Sequence, residues 1–156
     1  METEFASIEH EIHVDAAPEI VFDVVSRAEH LAQWWPDRAQ IETKVGANGH
    51  IEFAQADGSA PKRVPMTIVE VEPPRRFSFR WDYAAGEQPD EGNSLLVVFE
   101  LEPVGAGTRI RMTETGFREQ GWEAAVLERN YLDHVSGWNY FIPRLATYVG
   151  NLAVSS

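Results

Sequence analysis

The sequence contains no cysteine among its 156 residues. Disulfide bonds, thiolate metal sites and cysteine nucleophiles are therefore excluded, and folding does not depend on an oxidising compartment. A secretory signal is also missing, because the stretch from Met1 to Ser7 has neither a basic start nor an apolar run. No stretch approaches the roughly 18 consecutive apolar residues of a membrane span. We therefore expect a cytoplasmic protein without a membrane span.

Basic residues are scarce relative to acidic ones, since 13 Lys and Arg stand against 25 Asp and Glu and give a formal net charge of −12. Nucleic acids and anionic membrane surfaces bind proteins through a basic face that displaces counterions. The composition therefore argues against both as partners. The length suits one domain, and we expect a single domain over residues 1–156.

Recognisable catalytic and cofactor motifs are absent as well. None of the five histidines has another histidine four residues away, the spacing that places two zinc ligands on one face of a helix. No glycine-rich phosphate-binding loop is present, because Gly46, Gly49, Gly58, Gly105 and Gly107 are turn residues. No Gly-x-Ser-x-Gly sequence is present either. We therefore expect no metal and no cofactor.

The stretch with the most regular pattern runs from Tyr131 to Leu152, near the C-terminus. Its apolar residues recur at alternating spacings of four and three, which places them on one stripe of an α-helix. At about 1.5 Å per residue this helix would span roughly 33 Å, the width of a small domain. Pro143 removes a backbone hydrogen bond and predicts a bend. The stripe consists of Tyr131, Val135, Trp138, Ile142, Leu145, Val149 and Leu152.

The N-terminal part of the chain predicts one strand and two short helices. Alternating apolar and polar residues indicate a strand that ends near Val14. Pro18 then suits the first turn of a helix. A second helical segment, from Glu29 to Trp35, is stopped by Pro36, because proline disfavours helical geometry in the residue before it.

Residues 39–114 have the pattern of short strands joined by tight turns. Residues 41–45 alternate and are followed by a turn over residues 47–49, which predicts a hairpin. Short connections between sequential strands require antiparallel pairing, so we expect about six strands in a meander. One strand is unusually aromatic on one face. Its alternating residues are Phe77, Phe79, Trp81 and Tyr83.

An antiparallel sheet with one apolar face needs a cover, and the C-terminal helix is the only element long and apolar enough to provide it. We therefore predict an α+β fold in which a curved antiparallel sheet wraps around a long C-terminal helix, with two short helices after the first strand. Such a sheet leaves a cavity against the helix unless large side chains fill it.

A series of short motifs follows this predicted order of elements. They are Ala17-Pro18, His30-Leu31 with Trp34-Trp35, Val69-Glu70-Val71-Glu72-Pro73-Pro74, Trp81, Gly107-Thr108 with the alternation to Glu114, and Gly137-Trp138. Together they resemble the family of homologues of the activator of heat-shock-protein-90 ATPase, within the START-like, or SRPBCC, superfamily. The resemblance covers roughly residues 7–151 and implies a helix-grip fold that encloses a hydrophobic cavity.

The resemblance implies a binding function. Stand-alone relatives in this superfamily are taken to bind small apolar ligands, whereas eukaryotic members that stimulate the chaperone ATPase carry a second, N-terminal domain, for which we expect this chain to have no room. We predict binding of a small hydrophobic or aromatic ligand between sheet and helix. The predicted ligand-binding residues are Trp34, Trp35, Phe53, Phe79, Trp81, Phe99, Glu114, Trp138 and Phe141.

Two alternative functions stay open. The first is a protein-interaction module of the co-chaperone kind, acting as a monomer or a homodimer through an exposed patch. The second is an enzyme of the cyclase or aromatase type, with Glu114 or His134 as general acid or base.

The position of Glu114 separates these functions. In one placement, the alternation of side chains along the strand puts Glu114 on the face of Ile110 and Met112, pointing towards the cavity. In the other placement, Glu114 lies at the end of the strand and is either solvated or paired with an arginine such as Arg118.

Trp34 and Trp35 are adjacent, and neighbouring side chains on a helix point about 100° apart. We therefore expect one of them in the core and the other at the mouth of the cavity.

Overall fold

The computed structural model describes residues 5–155, with side chains up to residue 152. Residues 1–4, which are part of the N-terminal stretch that lacks the features of a secretory signal, lie outside the described residues. A short 3-10 turn, Arg118–Gln120, precedes the last helix. The elements in chain order are β1 (Ser7–Val14), α1 (Pro18–Ser26), α2 (Ala28–Trp34), β2 (Arg38–Gln40), β3 (Asn48–Phe53), β4 (Lys62–Glu72), β5 (Arg76–Trp81), β6 (Leu95–Val104), β7 (Gly107–Thr115) and α3 (Ala124–Ser155).

The seven strands form one antiparallel sheet in the order β1-β7-β6-β5-β4-β3-β2. Strands β2 to β7 are the predicted meander, because each pairs with its neighbour in sequence. Strand β1 pairs with β7, from Ser7 opposite Thr115 to Val14 opposite Thr108. Helices α1 and α2 carry the chain from β1 to β2 at the opposite edge. The predicted α+β fold is confirmed.

Helix α3 covers the apolar face of the sheet, as its stripe predicts. It begins at Ala124, earlier than expected, and continues past Pro143. Trp138, Ile142, Leu145 and Val149 are all buried. Within residues 5–155, no helix is long and apolar enough to cross a membrane.

The predicted hairpin is present as β2 and β3, but the positions predicted for its first strand, residues 41–45, and its turn, residues 47–49, are wrong. Strand β2 ends at Gln40, and Asn48 lies within β3 rather than in a turn. The segment between β2 and β3 contacts the end of α1 instead, where the hydroxyl of Thr43 donates to the carbonyl oxygen of Ser26 at 2.8 Å. Gly49 is required by close approach, since a Cβ there would collide with the carbonyl oxygen of Gln40.

The prediction that Tyr83 shares the aromatic face of β5 is also wrong. Asp82 adopts a left-handed backbone with φ 64°, which breaks the alternation immediately after Trp81. The hydroxyl of Tyr83 consequently lies 2.6 Å from that of Thr67. Thr67 alternates with the buried residues of β4, so Tyr83 lies on the outer face of the sheet.

Candidate functional site

The carboxylate of Glu114 lies at the centre of a polar cluster between the sheet and α3. Glu114 has no exposed surface. Trp81 donates from Nε1 to its Oε2 at 2.7 Å, and Trp138 donates from Nε1 to its Oε1 at 2.8 Å. These bonds satisfy a charge that would be costly to bury alone. Glu114 therefore points inward, and the alternative of a solvated strand end is wrong.

His134 is the third partner of this carboxylate. Its Nδ1 lies 2.9 Å from Glu114 Oε1, and its Nε2 lies 3.4 Å from Asp82 Oδ2. Burial by itself would lower the pKa of His134, but the hydrogen bonds and charge attraction of the two carboxylates outweigh burial and raise the pKa to about 9. The imidazole is therefore a cation at neutral pH, with both ring nitrogens engaged.

Asp82 is the outer member of the chain Glu114–His134–Asp82, and its side chain is 37% exposed. The hydrogen bond from His134 lowers the pKa of Asp82 against the opposing effect of burial, with further attraction from His134 and Lys62. Aspartate tolerates the left-handed backbone at this position better than most residues do. That backbone places the carboxylate directly beyond the last residue of β5.

Regular secondary structure brings the cluster together. Glu114 follows Ile110 and Met112 on the inward face of β7, and its backbone lies between β1 and β6. His134 and Trp138 are one helical turn apart, so both project from the same side of α3. Each member is thus positioned by a rigid element rather than by a loop, except Asp82.

A cleft of about 190 Å³ lies over this cluster. Its lining is mostly aromatic, and it opens between α3 and the strands β3, β4 and β5. We call it the aromatic cleft. It is lined by Trp35, Phe53, Lys62, Trp81, Asp133, His134, Gly137, Trp138 and Phe141.

The structure divides the predicted ligand-binding residues into two groups. Five of the aromatic ones line the aromatic cleft, namely Trp35, Phe53, Trp81, Trp138 and Phe141. Trp34, Phe79 and Phe99 instead are fully buried in the core. Glu114 lies behind the cleft and does not line it.

Trp34 and Trp35 are both buried, at 0% and 4% exposure. The helical spacing of 100° does not apply to this pair, because Trp35 follows the helix with non-helical φ −118° and ψ −93°. Their rings stack with centroids 6.0 Å apart. Trp34 donates from Nε1 to the carbonyl of Val24 at 3.0 Å and belongs to the core, whereas Trp35 lines the cleft.

Sequence reasoning missed four residues of the site: Asp82, Lys62, Asp133 and Gly137. Asp133 and Gly137 surround His134 on α3, so its helical period could have indicated them. Lys62 and Asp82 reach the site through the pairing of β3, β4 and β5, which no local pattern reveals.

Comparison with solved structures supports the fold. Protein MLL2253 from Mesorhizobium loti is similar with a TM-score of 0.72 and 22% identity over 93% of this chain and 97% of that chain. The Aha1 dimer from Colwellia psychrerythraea is similar with a TM-score of 0.67 and 19% identity, over 92% of this chain and 96% of that chain. DynU16, a putative protein in the dynemicin biosynthetic locus, is similar with a TM-score of 0.68 and 21% identity. The match covers 92% of this chain and 47% of DynU16. At these identities the likeness shows the helix-grip fold alone.

No curated protein matches the sequence. Residues 15–150 match the model of a protein family described as "Activator of Hsp90 ATPase homolog 1-like protein". Because this match spans most of the sequence, and because the fold agrees with it, the chain belongs to the activator of Hsp90 ATPase homolog 1-like family.

Proposed function

We propose that this protein binds a small aromatic molecule, of the size of one substituted ring, in the aromatic cleft. The observation that carries the proposal is a cleft of about 190 Å³ with five aromatic residues in its lining. An apolar cavity of about 150 Å³ is large enough to bind benzene. Aromatic rings pack against other rings edge-to-face or offset, so these walls suit a planar ligand.

The polar groups behind the cleft support an apolar mode of binding. The indole N–H groups of Trp81 and Trp138 are already donated to Glu114. Both nitrogens of His134 are engaged as well. A ligand ring inside the cleft therefore gains mainly packing and dispersion contacts, and among the lining indoles that the structure describes only the N–H of Trp35 has no protein acceptor.

The packing of the core limits the size of the ligand. Trp34, Phe79 and Phe99 fill the space that a larger cavity would occupy, since each has no exposed surface. Pockets for drug-sized ligands usually measure about 300 to 1,000 Å³. The proposal therefore narrows the predicted hydrophobic ligand to a single ring.

The same contacts argue against the cyclase or aromatase alternative. A general acid or base must reach the reacting atom directly or through one water. Glu114 is outside the lining of the cleft, and His134 presents neither ring nitrogen free to a ligand. We therefore assign Glu114 and His134 to positioning Trp81 and Trp138 rather than to chemistry.

Gly137 provides a test of the cleft. A Cβ at Gly137 would meet no atom within 4 Å, and this glycine lines the cleft, so the side chain of Gly137→Leu would occupy the ligand space. Gly150→Leu is a matched control, because Gly150 is also helical with nothing within 4 Å and lies outside the cleft. Leucine favours helix over glycine in both variants.

The experiment is a calorimetric titration with benzyl alcohol, phenol and toluene. We expect saturable binding, with one ligand per chain, for the unmodified protein and Gly150→Leu, and loss of binding for Gly137→Leu. Light scattering in parallel fixes the number of chains per particle, because the Colwellia psychrerythraea relative is described as a dimer. Absence of binding by all three probes, or equal binding by Gly137→Leu, would contradict the proposal.

A further inference from the structure

Two charged side chains of the cleft have no ion-pair partner among the residues that the structure describes. Lys62 and Asp133 are both exposed and stand at the mouth. Behind them the cationic His134 is held between the carboxylates of Glu114 and Asp82. The lining and the cluster behind it together hold three carboxylates and two cations, so this group of charged residues has a net charge of −1.

The aromatic walls act in the same direction as this charge. The face of an aromatic ring carries negative potential and attracts cations within about 6 Å of its centroid. The protein already places one cation beside a wall of the cleft, since the ring centroids of His134 and Trp81 are 5.4 Å apart.

An anionic ligand would find few partners in the same place. The indole donors of Trp81 and Trp138 are used by Glu114, and among the residues that the structure describes the indole N–H of Trp35 has no acceptor. The ammonium of Lys62 is the other donor, and it is attracted by Asp82. The net charge of −12 over the whole chain also favours the approach of cations over anions.

We infer that the aromatic cleft selects a small organic ammonium ion, with the ring or alkyl part against the aromatic walls and the charged nitrogen beside Asp133. The inference rests on the proposed function, because it names the class of ligand for the same cleft. In this arrangement Asp133 raises the affinity for the ligand and Lys62 lowers it.

A charge series that shares one ring separates the classes of ligand. Benzylamine, benzyl alcohol and benzoate are titrated at pH 7 and low ionic strength, where the amine is protonated. The order of affinity expected is benzylammonium, then benzyl alcohol, then benzoate. Raising the salt concentration should reduce the difference between the two charged probes, because exposed charges are screened.

Two substitutions with opposite expected effects sharpen the test. Asp133→Asn should weaken binding of benzylammonium about twofold to fivefold, and Lys62→Met should strengthen it by a similar factor, the range typical of exposed charge pairs. Both residues line the cleft, so each variant is also titrated with benzyl alcohol, and the effect of the charge is the change in the ratio of the benzylammonium affinity to the benzyl alcohol affinity. Glu11→Gln is the control for net charge, because Glu11 is on β1, outside the aromatic cleft, and its loss should change nothing.

Three outcomes decide the matter. The expected order, with opposite shifts in the two variants, supports the inference. Benzoate binding as tightly as benzylammonium, or a benzylammonium affinity unchanged in both variants, overturns it while cleft-dependent binding of benzyl alcohol still upholds the proposed function. Failure of every probe to bind overturns both.

Discussion

The imidazole of His134 and the carboxylate of Glu114 form a buried ion pair, with 2.9 Å between Nδ1 and Oε1. The pair joins α3 to β7, the strand next to β1. Because Trp138 binds the same oxygen of Glu114, the position of the helix and the back wall of the aromatic cleft depend on one carboxylate.

We predict that Glu114→Gln lowers the free energy of unfolding by about 3 to 5 kcal/mol, the usual cost of removing one partner from a buried ion pair. The amide can still accept hydrogen bonds from Trp81 and Trp138, but it leaves the His134 cation without its closest counter-charge. Urea unfolding followed by circular dichroism measures the change.

Glu9→Gln is the matched control for this prediction. Glu9 pairs with Arg111 at 2.6 Å, yet both side chains are more than half exposed, at 55% and 56%. Exposed pairs usually contribute about 0 to 1 kcal/mol. If Glu9→Gln and Glu114→Gln lowered the free energy of unfolding equally, burial would not strengthen the ion pair of Glu114.

The titration of His134 is the second prediction. The pKa of His134 is raised from 6.5 to about 9, so its ring resonances should titrate near pH 9 in NMR spectra. Asp82→Asn removes one of the two carboxylates and should lower that midpoint while leaving the fold intact. A midpoint near 6.5 in the unmodified protein would show that the ion pairs are not formed.

The same raised pKa makes stability depend on pH. A group whose pKa is higher in the folded state stabilises the fold fully below its unfolded pKa and loses this effect as pH rises through the folded pKa. The contribution of His134 should therefore be complete below pH 6.5 and decline towards pH 9, by on the order of 3 kcal/mol. His134→Gln should remove this part of the decline, which a comparison of melting temperatures at pH 6 and pH 10 measures.

Trp138 provides a third prediction, because it both fills the core and donates to Glu114. Trp138→Ala should cost about 3 to 5 kcal/mol, since it leaves a cavity. Trp138→Phe keeps an aromatic ring and removes one donor, so it should cost less, on the order of 1 to 2 kcal/mol. Thermal unfolding measures both variants. If Trp138→Phe were less stable than Trp138→Ala, the larger cost could not come from the cavity.

The regular elements were predictable because their side chains follow a fixed period. Alternation along β7 placed Glu114 on the inner face with Ile110 and Met112, and the helical period placed His134 one turn from Trp138. The sequence thus indicated an inward carboxylate, but not that His134 and Trp138 bind it.

The remaining features depend on single backbone angles and on contacts between distant elements. The positive φ of Asp82 sends Tyr83 to the outer face and Asp82 to His134, and alternation alone cannot indicate it. The small size of the cleft likewise depends on Trp35, whose non-helical backbone turns its ring between Trp81 and Trp138, with centroids 5.0 and 5.2 Å away.

The location of a bound aromatic compound tests the proposed function most directly. The chain has five tryptophans, so the indole N–H signals in a ¹H–¹⁵N spectrum form a small set of reporters inside and outside the cleft. We predict that benzyl alcohol shifts the signals of Trp35, Trp81 and Trp138, leaves that of Trp122 in place, and shifts none of them in Gly137→Leu. Shifts confined to Trp122, or the same shifts in Gly137→Leu, would contradict binding in the aromatic cleft.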